Sequence, residues 1–188
     1  MKKLRIGVAG LGRAFTLMAP TFAADARVEL VAVADPRPEA RLDFQGKSYS
    51  SVEELCKDPA VEVVYVATPH QFHAEQARLA ASHGKHLLVE KPMALTLEDC
   101  RSMIDAARRA SVALVVGHSH SFDRPILQAR KIIEQGLVGK VRIITAFNFT
   151  DFLYRPRRRE ELATELGGGA VFNQAAHHAT CCGCLAAK

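Results

Sequence analysis

A glycine-rich turn follows the first apolar stretch of the chain. The segment GVAGLGRAF places Gly10 and Gly12 two residues apart and Phe15 three residues later, which gives the pattern G-x-G-x-x-F. A dinucleotide fingerprint has a third glycine at that last position. Gly10 would permit a tight turn, and Gly12 would let a pyrophosphate approach the backbone N–H groups at a helix start. We expect four consecutive residues to contact the cofactor: Gly10, Leu11, Gly12 and Arg13.

Asp35 ends the second apolar stretch, RVELVAVAD. A carboxylate at this position accepts hydrogen bonds from both ribose hydroxyls of an adenosine and repels a 2′-phosphate, which favours NAD. Arg37 lies two residues later and could partner a 2′-phosphate, so NADP stays open. Asp35 could instead be an ordinary turn residue before Pro36.

A third polar segment, VATPHQFH, follows the most apolar stretch of the chain. In a doubly wound sheet, ligands bind beyond the carboxyl ends of the strands. We therefore expect Thr68, Pro69 and His70 at the mouth of the same cleft. His73 falls in the first turn of the next helix, and we interpret it as a structural histidine.

The elements that would position these residues alternate between short apolar runs and helical patterns from residue 4 to about residue 135. Such alternation is typical of βαβ units and a parallel sheet. Five runs are expected as strands: LRIGVA, RVELVAVAD, VEVVYVAT, KHLLVE and VALVVGH. The fold class is therefore α/β, a doubly wound parallel sheet of Rossmann type. Ser51 and Glu54 have the spacing of a capping box at the start of a helix.

After residue 140 the pattern changes. The segment VRIITAFNFTDF alternates apolar and polar residues, which predicts a half-buried strand over 141–150 that belongs to another sheet. We therefore expect two domains, a dinucleotide-binding domain over 1–122 and, over 123–188, the beginning of an incomplete α+β domain with an open sheet.

Composition limits the function classes. The chain has 188 residues, 48% apolar and 24% charged, with no apolar run long enough to span a membrane and no signal-peptide pattern at the start, so we expect a cytoplasmic protein with no membrane partner. The net charge of +5 is mostly local to RPRRREE, which lacks the interleaved aromatic residues of a single-strand nucleic-acid platform. We expect no nucleic-acid partner; that segment is a solvated turn or a contact for an anionic small molecule.

The cysteines near the end of the chain raise the possibility of zinc. Cys181, Cys182 and Cys184 lie close to His177 and His178. Adjacent cysteines cannot easily both ligate one tetrahedral ion, and no second ligand pair has finger-like spacing. We predict no metal site.

Four segments together resemble the Gfo/Idh/MocA family of NAD(P)-dependent oxidoreductases: GVAGLG, VATPHQFH, GKHLLVEKPMALT and GGGAVFNQAAHH. The resemblance runs from residue 4 to about residue 178, and the EKP segment is its most specific part. GHSHSFD and TDFLYRPRR are most similar to the dihydroxyphthalate dehydrogenase branch. This implies a cyclic dihydrodiol that carries carboxylates as the substrate.

The resemblance also implies catalytic roles. Lys91 becomes the active-site lysine beside the nicotinamide, with Glu90 and Pro92 holding it, the latter through a cis peptide; a surface lysine paired with Glu90 is the alternative. His177 becomes the acid–base partner that takes the hydroxyl proton while hydride leaves the carbinol carbon. Asn173 stands where the family has an acidic residue, and an amide offers no negative charge to raise the pKa of the histidine.

Further implications concern the substrate and the length of the chain. Arg155 and Arg157 could hold substrate carboxylates. Family members are about twice as long and often form homo-oligomers, so we expect this chain to be truncated at its C-terminus, or altered in frame near residue 179. Two other functions stay open: a sugar or inositol dehydrogenase of the same family, and a dinucleotide-binding redox sensor without catalysis.

Overall fold

The computed structural model describes residues 2–147, 154, 156–157, 159–169 and 171–186, and of residues 160 and 173 only the backbone. The chain divides into two compact units, Met1–Gly117 and His118–Lys188. The boundary expected from the sequence lies after residue 122.

The first unit is built on a six-stranded parallel sheet in the order β3-β2-β1-β4-β5-β6. Its strands are β1 (Leu4–Ala9), β2 (Val28–Ala34), β3 (Lys47–Tyr49), β4 (Val63–Val66), β5 (His86–Val89) and β6 (Leu114–Val116). The strand order reverses direction between β1 and β4, which is the switch point where such sheets bind ligands. The α/β doubly wound prediction is confirmed.

Helices cover both faces of this sheet. They are α1 (Arg13–Ala24), α2 (Val52–Lys57), α3 (His73–Ser82) and α4 (Leu97–Arg109). In β4, Val63 and Tyr65 join the buried cluster that contains Phe22 of α1, whereas Val64 and Val66 join the cluster that contains residues of α2, α3 and α4. Successive side chains of a strand point to opposite faces, so β4 is buried on both sides and fixes the centre of the unit.

Local signals in the sequence explain one helix start. Ser51 accepts a hydrogen bond from the backbone N–H of Glu54, and the Glu54 carboxylate accepts one from the backbone N–H of Ser51. The predicted capping box is thus present. It satisfies N–H groups that the first turn of α2 leaves without helical partners.

One strand of the first unit has no counterpart among the five expected from the sequence. β3 pairs only with β2, at the edge of the sheet, and contains Lys47, Ser48 and Tyr49. None of its three residues is fully buried. An edge strand this short carries no apolar run that a sequence pattern could detect.

The regular elements that the structure describes in the second unit are all helical. Its helices are α5 (Arg124–Glu134), α6 (Arg159–Leu162) and α7 (Ala176–Ala186); 3-10 turns cover Ser119–Phe122 and Thr164–Leu166, and a π-helix covers Val171–Ala175.

The strand expected over 141–150 is wrong for its described part. Residues 141–147 have no regular secondary structure, and residues 148–150 lie outside the described residues. Ile143 and Phe147 are 83% and 76% exposed. Alternation of apolar and polar residues stabilises a strand only when a neighbouring strand supplies hydrogen bonds and cover. The described residues of this unit include no such neighbour.

Candidate active site

The turn after β1 is built around Gly10. Its N–H donates to the carbonyl of Ala34 over 2.8 Å, and its φ of +92° is in the region that favours glycine. A Cβ at Gly10 would lie 2.9 Å from the carbonyl oxygen of Ala67 and 2.9 Å from the backbone nitrogen of Thr68. The turn after β1 therefore packs directly against the turn after β4.

The next glycine opens this turn to a ligand. Gly12 is the residue before α1, and a Cβ built there meets no other atom within 4 Å. The first N–H groups of a helix lack helical partners and attract phosphate oxygens. Arg13 begins α1 as an exposed cation, and Phe15 packs against the cluster beneath α1. Backbone, charge and open space at this turn fit a pyrophosphate.

Asp35 lies at the carboxyl end of β2 and is 5% exposed. Its Oδ2 accepts the backbone N–H of Leu11 over 2.9 Å, so it connects the end of β2 to the glycine turn. Burial disfavours the carboxylate, but the Arg37 guanidinium and the backbone N–H groups of Leu11 and Arg37 outweigh burial and lower the pKa of Asp35 to about 2. Asp35 is thus anionic at neutral pH.

Arg37 makes a two-pronged contact with the same carboxylate. Its Nε donates to Oδ1 and its Nη2 to Oδ2 of Asp35, each over 2.9 Å. The guanidinium charge is thereby compensated by Asp35. The sequence suggested Arg37 as a possible partner of a 2′-phosphate, but it did not indicate this ion pair.

The segment after β4 contributes Thr68, Pro69 and His70. The Thr68 hydroxyl donates to Oε1 of Gln76 over 2.7 Å, and Pro69 precedes a 3-10 turn over His70–Phe72. The His70 ring lies 5.6 Å from that of His73, edge to face. These residues follow the strand adjacent to β1, beside the glycine turn.

Lys91 follows β5, the strand next to β4. Its backbone N–H donates to Oε2 of Glu90 over 3.2 Å, and the Lys91–Pro92 peptide is cis, as the family resemblance implied. The side chain is half-buried. Burial lowers the pKa of the Lys91 ammonium, and the Glu90 carboxylate acts in the opposite direction. An ammonium group whose solvent is partly removed can stabilise a developing alkoxide.

Glu90 is fixed by a residue that sequence reasoning missed. The hydroxyl of Tyr65, in β4, donates to Oε1 of Glu90 over 2.6 Å. The Tyr65 ring is 1% exposed and packs edge to face on Phe22. A buried tyrosine hydroxyl needs a polar partner, so a tyrosine within an otherwise aliphatic strand was the available signal.

The second unit holds the remaining predicted residues. His177 lies in α7, half-buried, with its ring 4.3 Å from that of His120. His120 Nδ1 is 2.8 Å from Oδ2 of Asp123. The sequence did not indicate these contacts of His120, although the segment GHSHSFD contributed to the family resemblance. Asn173 belongs to the π-helix, and only its backbone is among the described parts of the structure.

The proposed substrate arginines are only partly described. Arg155 lies outside the described residues. Nη1 of Arg157 is 3.7 Å from Oε1 of Glu161, four residues later in the chain, and both side chains are largely buried. Arg157 is therefore already engaged by a carboxylate.

The described part of the chain offers neither a metal site nor a membrane span. No three His, Cys, Asp or Glu side chains there are grouped so as to hold a metal ion. Among these residues, no helix has the length and apolar character needed to cross a bilayer.

Comparison with protein families agrees with the geometry of the first unit. The model of the Gfo/Idh/MocA oxidoreductase family, described as an NAD-binding Rossmann fold, matches residues 4–118. The chain belongs to this family. The match covers β1 to β6 and the segments described above that follow β1, β2, β4 and β5.

Individual relatives match more of the chain. A protein of Comamonas testosteroni, 1-carboxy-3-chloro-3,4-dihydroxycyclo hexa-1,5-diene dehydrogenase, is 58% identical over 179 residues, which are 93% of this chain and 45% of that protein. A dehydrogenase structure from Bordetella bronchiseptica RB50 has a TM-score of 0.91 and 39% identity, covering 97% of this chain and 49% of the other. This chain thus spans about half the length of these family members.

A third comparison concerns the cofactor. The WlbA dehydrogenase of Bordetella pertussis, solved with NADH and UDP-GlcNAcA, has a TM-score of 0.69 and 31% identity, covering 73% of this chain and 43% of the other. The first unit therefore has the fold of a protein that binds NADH.

Proposed function

We propose that this chain is the cofactor-binding part of an NAD-dependent dehydrogenase that oxidises a hydroxyl-bearing carbon of a cyclic diol. The observation that carries the proposal is the half-buried Lys91, which follows β5. It lies at the carboxyl end of the parallel strands, where the glycine turn and Asp35 also lie. The name of the Comamonas testosteroni relative, 58% identical, describes a dehydrogenase of a carboxylated cyclic diene diol.

The cofactor residues support NAD over NADP. Asp35 is anionic and buried at the end of β2, where it would accept ribose hydroxyls and repel a 2′-phosphate. Arg37 is paired with Asp35, so its charge is not available without breaking two hydrogen bonds. When bound, NAD supplies the hydride acceptor.

The chain's own residues handle the oxygen and the proton. Lys91 hydrogen-bonds the substrate hydroxyl and stabilises its oxygen as the proton leaves. His177 accepts that proton, and Asn173 orients the imidazole or binds a hydroxyl. The oxidised carbon becomes a carbonyl; for a ring dihydrodiol the ketone tautomerises to a catechol. Arg155 and Arg157 hold a substrate carboxylate, for which Arg157 exchanges its contact with Glu161.

Cofactor binding can be tested on this chain alone. We expect NADH fluorescence titration to give a dissociation constant at least about tenfold lower than that for NADPH, a difference of about 1.4 kcal/mol. Asp35→Ser should weaken NADH binding and reduce that preference. If NADPH binds as tightly as NADH to the unaltered chain, the assignment of NAD is wrong.

Catalysis can be tested on a longer protein. A chimera that continues this chain with the second half of the Comamonas testosteroni relative should oxidise a carboxylated cyclic dihydrodiol, whereas this chain alone should bind cofactor without turnover. Lys91→Ala should lower kcat of the chimera by about 100-fold or more; the exposed Lys3→Ala is the matched control. Equal turnover by Lys91→Ala and Lys3→Ala would contradict the proposal.

A non-catalytic dinucleotide sensor is the second candidate. The observation in its favour is Asn173, which stands where the family has an acidic residue. The sensor hypothesis expects NADH binding with no turnover by the chimera of any tested diol or cyclic polyol, and no effect of Lys91→Ala on NADH affinity.

A further inference from the structure

His73 occupies an unusual position between two loops of the candidate site. It is the first residue of α3, and its side chain is fully buried, with 0% exposure. Its Nδ1 is 2.9 Å from the carbonyl oxygen of Pro92, and its Nε2 is 2.9 Å from the carbonyl oxygen of Thr68. One ring thus bridges the loop after β4 and the loop after β5.

Both partners of the ring are hydrogen-bond acceptors. A neutral imidazole has one N–H donor, whereas an imidazolium has two. Burial lowers the pKa of His73, against the opposing effects of the Thr68 and Pro92 carbonyls and the Glu90 carboxylate. The neutral ring is therefore favoured, and its single N–H can donate to only one of the two carbonyls.

The position of the loop that carries Lys91 depends on hydrogen bonds to neighbouring elements. Residues 90–96, between β5 and α4, have no regular secondary structure. On the strand side, the backbone N–H of Glu90 donates to the carbonyl of Val66 over 2.9 Å. On the other side of Lys91, the carbonyl of Pro92 meets the ring of His73. Lys91 is therefore anchored on both sides by groups that belong to β4 and α3.

We propose that His73 is a positioning residue for Lys91: its Nδ1–H donates to the Pro92 carbonyl and so keeps the Lys91 ammonium half-buried at the carboxyl end of β5. The functional importance of this contact rests on the proposed role of Lys91, but the contact itself can be tested without turnover. His73 acts through Pro92, because its side chain is fully buried and does not reach the surface of the cleft.

Three substitutions of His73 distinguish the hydrogen bond at Nδ1 from the one at Nε2. The amide nitrogen of Asn corresponds to Nδ1 of His, and that of Gln corresponds to Nε2. His73→Asn can thus keep the donor toward Pro92, His73→Gln can keep only the one toward Thr68, and His73→Phe removes both while filling the space. The matched control is His83→Gln, at the other end of α3, where Nδ1 of His83 lies 3.0 Å from the carbonyl of Leu79.

The readout is the pKa of Lys91 in this chain, followed by NMR of ¹³C-dimethylated lysines with the signal assigned by Lys91→Arg. We expect His73→Gln and His73→Phe to raise the Lys91 pKa by roughly 0.5 or more, because a released loop exposes the ammonium. His73→Asn and His83→Gln should shift it by less than roughly 0.2. Should His73→Phe fail to fold, as judged by circular dichroism, the comparison of Asn with Gln decides alone.

Two results would overturn the proposal. One is a Lys91 pKa that stays the same in the Gln and Phe variants. The other is an equal shift in the Asn and Gln variants, which would mean that the ring only fills space. NADH titration of the unaltered chain judges the proposed function separately, so a chain that binds no dinucleotide can still show the His73 effect on Lys91.

The chimera offers a second readout. His73→Gln should lower kcat by about tenfold while KM for NAD stays within about twofold, and His73→Asn should restore most of the rate. A general loss of structure would change both constants and would not be rescued by Asn.

Discussion

The two units of the chain differ in where their apolar side chains lie. In the described residues, the fully buried apolar side chains all belong to the first unit, from Ile6 to Ala107. The second unit exposes large apolar side chains: Phe122, Leu127, Leu137, Val138, Ile143, Phe147, Tyr154, Leu162 and Val171. A sheet covered on both faces closes a core, and the first unit has one although it also exposes some large apolar side chains. Most of the exposed apolar residues of the second unit lie outside α5, α6 and α7. Lys91 and Asp35 thus stand on a unit with its own buried apolar core, whereas the described residues around His177 provide no such core.

The largest expected effect comes from comparing a leucine in each unit. Leu87 in β5 is 2% exposed and Leu137 in the second unit is 72% exposed. We expect Leu87→Ala to lower the free energy of unfolding by about 3 kcal/mol, because it leaves a cavity in a packed core. Leu137→Ala should change it by less than about 0.5 kcal/mol. Urea unfolding followed by circular dichroism measures both, and equal losses would remove the distinction between the units.

A pH dependence distinguishes a buried carboxylate from an exposed one. The pKa of Asp35 is lowered from 3.8 to about 2. A lowered pKa in the folded state adds stability above the ordinary pKa, and that contribution is lost as the pH falls from about 4 through about 2. Asp35→Asn should therefore lower the free energy of unfolding by about 1–2 kcal/mol at pH 7 and by almost nothing near pH 2. The figure at pH 7 is reduced because Arg37 is half-exposed and solvent screens the ion pair.

Asp123→Asn is the control in the second unit, since its carboxylate is about half exposed. The two variants should be followed by urea unfolding from pH 2 to 7. A cost of Asp35→Asn that does not change with pH would show that the ion pair with Arg37 contributes no stability.

The smallest expected effect concerns the helix starts. Ser51 caps α2 through its side chain, whereas Asp123, at the equivalent position before α5, makes no such bond. Ser51→Ala should lower the free energy of unfolding by about 1 kcal/mol, and Asp123→Ala by less than about 0.5 kcal/mol. Thermal unfolding would rank them, and a larger loss for Asp123→Ala would reverse the expected order.

Much of the first unit could be predicted because its signals are local. Four consecutive apolar residues, Val63–Val66, identify a strand buried on both faces. The short strand β3 could not be predicted, since its identity depends on pairing with β2. The segment 141–147 was wrongly predicted for the opposite reason. It has the apolar–polar alternation of a strand, but the described residues include no neighbouring strand with which it could pair.

In the candidate active site, too, local signals could be predicted and long-range contacts could not. Turn residues such as Gly10 and Asp35 could be named from their positions after strands. The contacts of Tyr65 with Glu90 and of His73 with Pro92 join residues that are distant in sequence. They arise because β4 and β5 are neighbours in the sheet, and no single segment contains that information.

The close fit of Gly10 against Ala67 and Thr68 has a practical consequence for protein engineering. Grafting the cofactor loop of another dehydrogenase onto this scaffold would have to transplant the loop after β4 at the same time. A loop moved alone would meet a mismatched neighbour, so the two turns are exchangeable only as a pair.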